Sequence, residues 1–258
     1  LESFLVRERP RHVYFSAGHY ADPSARTMDE KGWQGSDLVF DLDADHLPSV
    51  DPARDTYAEM LAKSKDALYR LLDFLDDQGL ARDTLVIYSS DNGMFLGEHG
   101  WFDKRFMYEQ SLRGPLGARY PKAIPPGTVS KEMVLNLDYA QTFLDYAGIS
   151  APSDMQGRSL KPLMDGNKDV NWRDSIYYHY YEYPGFHSVR AHYGIKKRRY
   201  KLMHFYKEDI WELYDLKNDP HEQNNLVKDP EYKNIRKQLR ESLIEKMKRA
   251  GEDVPEIK

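Results

Sequence analysis

The sequence predicts an α/β fold to about residue 170, then an antiparallel sheet packed on one terminal helix. Three observations predict it. A long helical pattern after Asp51-Pro52 runs into TLVIYSS (84–90), which is apolar on both faces. Around Gly166 the texture changes to four short aromatic or alternating runs. A last amphipathic stretch begins at Asp229-Pro230.

Taken in order, HVYFSA (12–17) reads as a short strand, and residues 20–50 are polar with no clean period. Asp51-Pro52 supplies an N-cap and a first-turn proline. Tyr57, Met60, Leu61, Leu68, Leu71, Leu72 and Leu75 recur at helical spacing, and Gly79 closes the helix. TLVIYSS has the β-branched, two-sided pattern of a strand inside a parallel sheet. A helix delivered into such a strand is a βαβ-type unit, and ligands gather beyond the carboxyl ends of its strands. PLGARYP (115–121) reads as another strand, and LDYAQTFLDYAG (137–148) as an amphipathic helix closed by Gly148. SIYYHYYEY, AHYGIKK, RYKLMHFY and IWELYDL then form the antiparallel sheet. The final helix carries Tyr232, Ile235, Leu239, Leu243 and Met247 on one stripe, with Gly251 at its end.

Composition narrows the function classes. At 258 residues and 40% hydrophobic, the chain builds one substantial core with a smaller appended unit. A net charge of −5 gives no general attraction to nucleic acid. The absence of cysteine excludes disulfides, thiolate metal sites and a cysteine nucleophile within these residues. No segment reaches the roughly 18 apolar residues of a membrane span. The chain opens on Leu1 in LESFLVRERPRHVYFSA, which reads as a cut into a longer protein.

The chemistry concentrates in SSDNGMFLGEHGWFDK (89–104). Asp91 and Asn92 offer hard oxygen ligands suited to Ca²⁺ or Mg²⁺, too few to complete a site alone. Lys104 brings an ammonium suited to an anion, and His99 a donor or proton carrier. The residues alone leave a second reading open. Asn-Gly is a common turn, which Asp91 stabilises, with His99 as a loop histidine and Glu98, Asp103 and Arg105 as surface charges.

Resemblance to a known family favours the first reading. LVIYSSDNGMFLGEHGWFDKRFMYEQSLRGPLGARYP (85–121) closely resembles the sulfatase family of the alkaline-phosphatase-like superfamily, in the branch acting on sulfated sugars. MVLNLDYAQTFLDYAGISAPSDMQGRSLKPLMDG (133–166), HYGIKKRRYKLMHFY and WELYDLKNDPHEQNNL continue the likeness, which covers about residues 53–250. The resemblance implies an alkaline-phosphatase-like parallel sheet flanked by helices and incomplete here. Residues 1–170 would be the C-terminal part of the catalytic domain and 171–258 an antiparallel-sheet subdomain. It implies Asp91 and Asn92 as ligands of a divalent metal, calcium or magnesium, and Lys104 as the group holding sulfate. In such enzymes the nucleophile is a formylglycine made in a C/S-x-P-S-R motif, preceded by an Asp-Asp metal pair. The nearest match here, ADPSAR (21–26), has Ala21 where the nucleophile belongs. Nucleophile and Asp-Asp pair are therefore expected upstream of Leu1, and the chain alone is expected to be inactive.

By the same resemblance His19, in YFSAGHYADP, matches a histidine that protonates the leaving oxygen, against the reading of a loop histidine. His192, in AHYG, matches a catalytic or substrate-facing position, against a polar strand start. His99 is a loop organiser or a sulfate contact. The Tyr run 177–183 reads as packing more than sugar stacking, and Lys196–Arg199 as a solvated hairpin. The expected partner is a sulfated saccharide, with neither nucleic acid nor a membrane span. The family's usual substrates imply a periplasmic, extracellular or lysosome-like compartment. The alternatives are a phosphonate or phosphate ester hydrolase of the same superfamily, and a non-catalytic fragment that binds sulfated glycans.

Overall fold

A computed structural model describes residues 49–253 apart from 52, together with the backbone of two strands near the start of the chain. These are β1 (Val13–Tyr20) and β2 (Trp33–Phe40), paired antiparallel with irregularities after Ser16 and His19. The ADPSAR motif lies outside the described residues. The chain forms two compact units, residues 1–84 and 85–258.

In the first unit, helix α1 spans Tyr57–Asp77. It starts six residues after the expected Asp51. Thr56 is its N-cap, and Glu59 closes a capping box with it. That box satisfies two orphan donors at once, which decides the start. Asp51 instead closes its own turn, its carbonyl accepting from the amides of Arg54 and Asp55. Gly79, at φ +68°, ends the helix as the sequence predicts.

The second unit begins with β3 (Val86–Ser89), paired antiparallel with β6 (Leu116–Arg119). Tyr88 is 44% exposed, because β6 is the one strand paired with β3 among the described residues. Between them lie the small hairpin of β4 (Phe95–Leu96) and β5 (Phe102–Asp103), and the one-turn helix α2 (Glu109–Leu112). Helices α3 (Asp138–Tyr146) and α4 (Lys161–Met164) follow. Asp138 is buried in a bidentate pair with Arg173 at 2.5 and 2.6 Å, and its carboxylate also accepts the Leu135 and Arg158 amides.

The four aromatic runs form one antiparallel sheet, in the order β10 (Ile210–Asp215), β9 (Tyr200–Phe205), β8 (His192–Lys197), β7 (Ser175–Tyr180). Both of its faces are covered. Tyr193, Ile195, Leu202 and Leu213 pack under Leu239, Leu243 and Met247 of α5 (Lys233–Arg249). The alternate residues point the other way. There Met203, Phe205 and Tyr214 meet Phe95, Phe106, Met107 and Tyr108 from the segment carrying Lys104. Gly194 makes room for this cover, since a Cβ there would lie 2.6 Å from Met107 Sδ and 2.5 Å from the Leu202 carbonyl.

The covered face also holds charge. Lys201, fully buried, lies 2.7 Å from Glu222 and 2.8 Å from Glu109. Lys196 joins Glu109 at 2.8 Å, so the expected solvated hairpin has its first lysine turned inward. Burial pushes the Glu222 carboxyl above its usual range against the pull of Lys201. Burial opposes the charge on Glu109 too, but Lys201 and Lys196 outweigh it and hold that carboxyl low. Removing one partner strands the other charge. Lys201→Ala is expected to cost about 3–5 kcal/mol, whereas the paired Lys201→Met and Glu222→Gln should stay much closer to wild type. Denaturant titration of the three proteins checks this; equal stability of single and paired variants would contradict it.

Candidate active site

The loop after β3 is fixed before its side chains matter. Ser89 shares a 2.6 Å hydrogen bond with the Tyr139 hydroxyl, and the Asn136 carboxamide donates to the Asp91 carbonyl at 2.7 Å. The Gly93 amide donates to the Ser111 carbonyl at 2.7 Å. Only glycine fits there, because a Cβ would stand 2.0 Å from the Gln110 carbonyl oxygen.

From that anchored turn the Asp91 carboxylate accepts the Asn92 amide at 2.9 Å and pairs with the Lys104 ammonium. The Lys104 contact holds the Asp91 carboxyl below its usual range, against partial burial. Lys104 itself lies between two residues in the left-handed region, Asp103 at φ +76° and Arg105 at φ +102°. Non-glycine residues hold such angles only where their surroundings impose them. Here the Arg105 amide donates to Ser111 Oγ at 3.0 Å, and the Tyr178 hydroxyl donates to the Arg105 carbonyl at 2.6 Å. The Asp103 carboxylate takes the Arg105 guanidinium and lies 3.4 Å from His187.

Asp91, Asn92 and Lys104 therefore stand together, as the sequence predicts. Asp91 and Asn92 supply hard oxygen donors of the kind calcium or magnesium takes. No group of three or more His, Cys, Asp or Glu able to hold a metal occurs among the described residues. The pair alone is too small a donor set for such a cation, which takes at least six ligands.

The histidines divide. The side chain of His19, whose backbone lies on β1, is outside the described residues. His99, at φ +55°, stacks on Tyr108 at 4.3 Å and meets Phe95 edge-on at 6.2 Å. Its packing is that of a loop organiser. His192, expected from the sequence as a catalytic or substrate-facing group, lies inside the second unit. It is fully buried, with Nε2 accepting the Met107 amide at 3.1 Å and Nδ1 facing the Arg190 carbonyl at 2.7 Å. Phe106, Tyr178, Tyr180 and Phe205 surround its ring. With no surface and both nitrogens engaged, it supports the Lys104 segment from beneath.

Ser111, Asn136 and Tyr178 were not legible in the sequence. Each acts through a contact at least six residues away, and no local pattern marks it.

The sulfatase family model matches residues 11–149, and the model for the C-terminal part of N-sulphoglucosamine sulphohydrolase matches residues 97–249. The chain belongs to the sulfatase family. Over 208 residues it is 49% identical to the N-acetylglucosamine-6-O-sulfatase of Bacteroides thetaiotaomicron, covering 80% of this chain and 37% of that protein. A solved structure in complex with its substrate D-glucosamine-2-N,6-O-disulfate matches with a TM-score of 0.74 and 47% identity, over 78% of this chain and 42% of that one. The expected fold class is borne out, and the chain spans well under half the length of both relatives. A different likeness stands beside these. Over 93 residues, 36% of this chain, it is 63% identical to the DNA primase small subunit of Haloarcula marismortui, covering 24% of that protein. The primase and sulfatase stretches together exceed the chain, so they overlap.

Burial holds the His192 pKa down at about 4, below its ordinary 6.5. Stability from the neutral ring is full above pH 6.5 and is lost as pH falls toward 4, because the unfolded chain takes up its proton first. That is worth about 3 kcal/mol over the window. His192→Gln should flatten the pH dependence of unfolding between pH 6.5 and 4; an unchanged slope would remove His192 from this account.

Proposed function

We propose that this chain is the C-terminal part of a sulfuric ester hydrolase that removes sulfate from a sulfated saccharide. The observation that carries the reading is the pairing of Asp91 and Lys104 beside Asn92 on one anchored loop, in a chain of the sulfatase family. Asp91 and Asn92 would hold calcium, which when bound supplies positive charge against the oxygens of a sulfate ester. Lys104 brings a second cation to the same anion, and Asp91 orients its ammonium. Residues to about 170 belong to the catalytic domain in this reading, and 171–258 to its C-terminal subdomain. A nucleophile of the C/S-x-P-S-R type, converted to formylglycine, would come from outside this chain.

Similarity to a protein named N-acetylglucosamine-6-O-sulfatase, and to a structure holding a 6-O-sulfated glucosamine, supports a 6-O-sulfated glucosamine residue as substrate. Such saccharides are met outside the cytoplasm, which supports a periplasmic or extracellular setting. No described helix is long and apolar enough to cross a membrane.

A second reading concerns residues 1–84 and rests on the 63% identity to a primase. That unit holds residues 20–50, outside the stretch 53–250 over which the sequence resembles sulfatases, and it is compact by itself. We propose that the primase-like stretch lies mainly there, overlapping the stretch that the sulfatase family model matches. Nucleic acid then becomes a partner to test, contrary to what net charge suggests. A gel-shift titration of the whole chain with single-stranded DNA tests it, and no shift at micromolar protein would reject it.

For the main reading, Lys104→Ala and Asp91→Ala in the full-length protein are each expected to lower kcat on 6-O-sulfated N-acetylglucosamine by about 10²–10³-fold or more. Near-wild-type turnover in either would refute the assignment. Faster turnover of aryl phosphonates than of sulfate esters would favour the phosphonate hydrolase instead.

A further inference from the structure

We infer that Ser111 is a positioning residue that sets the separation between the Asp91-Asn92 pair and Lys104. The inference rests on the functional reading of those three residues. Ser111 is 1% exposed, and each of its two acceptor groups is taken by a different arm of the site. Its carbonyl accepts the amide of Gly93, the residue that follows the Asp-Asn pair. Its hydroxyl accepts the amide of Arg105, the residue that follows Lys104. One residue thus ties both arms, and a shift of Ser111 would move them relative to each other.

The simpler reading makes each bond an ordinary satisfaction of a loop amide. Two facts argue for more. The backbone on both sides of Lys104 is left-handed, a conformation that needs an external hold. Ser111 Oγ and the Tyr178 hydroxyl grip the Arg105 residue on its amide and carbonyl. The turn that carries Ser111 is itself fastened to the sheet. Glu222 accepts the Glu109 amide at 2.7 Å, and Lys196 and Lys201 hold the Glu109 carboxylate. The C-terminal sheet therefore sets the site spacing through a turn that carries none of the three site residues.

Removing the hydroxyl should release the Lys104 arm and leave the carbonyl bond to Gly93 in place. In the full-length protein, Ser111→Ala is expected to lower kcat/KM on 6-O-sulfated N-acetylglucosamine by about 10- to 100-fold. It should weaken inhibition by inorganic sulfate, leave the calcium Kd within about twofold by calorimetry, and speed hydrogen exchange at the Arg105 amide but not at Gly93. Tyr178→Phe loosens the same residue from its other side and should act in the same direction. It carries the test if Ser111→Ala does not fold. The two together should be non-additive in kcat/KM. Folded Ser111→Ala or Tyr178→Phe with kcat/KM within twofold of wild type, beside an inactive Lys104→Ala, would overturn the inference and leave the functional reading standing. A calcium Kd shifted as much as kcat/KM would also overturn it, marking general loosening. Wild-type rates in Lys104→Ala and Asp91→Ala would overturn the functional reading and this inference with it.

Discussion

A lysine ammonium buried away from water is tolerated only where carboxylates surround it, and the second unit is arranged around meeting that demand at Lys201. The carboxylates come from two segments distant in sequence. Glu222 lies in the DPHE turn after β10, and Glu109 opens α2. Their convergence seats α2 on the sheet, and α2 in turn receives Gly93 and Arg105. Apolar packing alone would leave this register loose. Phe95, Phe106 and Met107 fill the same interface, but hydrophobic contact is non-directional, whereas the charges admit one arrangement.

The sheet explains what the sequence could and could not reveal. Its strands were legible because Tyr193, Ile195, Leu202 and Leu213 alternate with other residues, the period of a strand. Its second face was not. Lys196 reads as part of a solvated hairpin and His192 as a catalytic or substrate-facing group, yet both lie against the segment that follows Lys104. Polar residues at alternate positions look the same whether solvent or another chain segment covers them. Likewise Asp91, Asn92 and Lys104 carried a chemical signature, while Ser111 and Tyr178 act through hydrogen bonds that no spacing encodes. The start of α1 shows a nearer failure. Asp51-Pro52 and the Thr56–Glu59 box were both visible, and the box, satisfying two donors, prevailed.

The two compact units bear differently on function. Every contact described for the Asp91–Lys104 site lies within residues 85–258. The reading of that site consequently does not depend on the ancestry of residues 1–84. The sulfatase family model itself matches residues 11–149 and so crosses the division between the units.

The bond from Gly93 to Ser111 closes the stretch between them at its neck. Inside that closure Met94, Leu96 and Phe102 are exposed, Phe102 at 74%. Such a tip can change without disturbing the neck. Substitutions or short insertions near the β4–β5 turn would alter the exposed tip while Asp91, Asn92 and Lys104 keep their spacing. The fold thereby separates what must stay constant from what is free to diversify. If the proposed site is right, new ligand preferences would arise at the tip without moving the three residues beneath it.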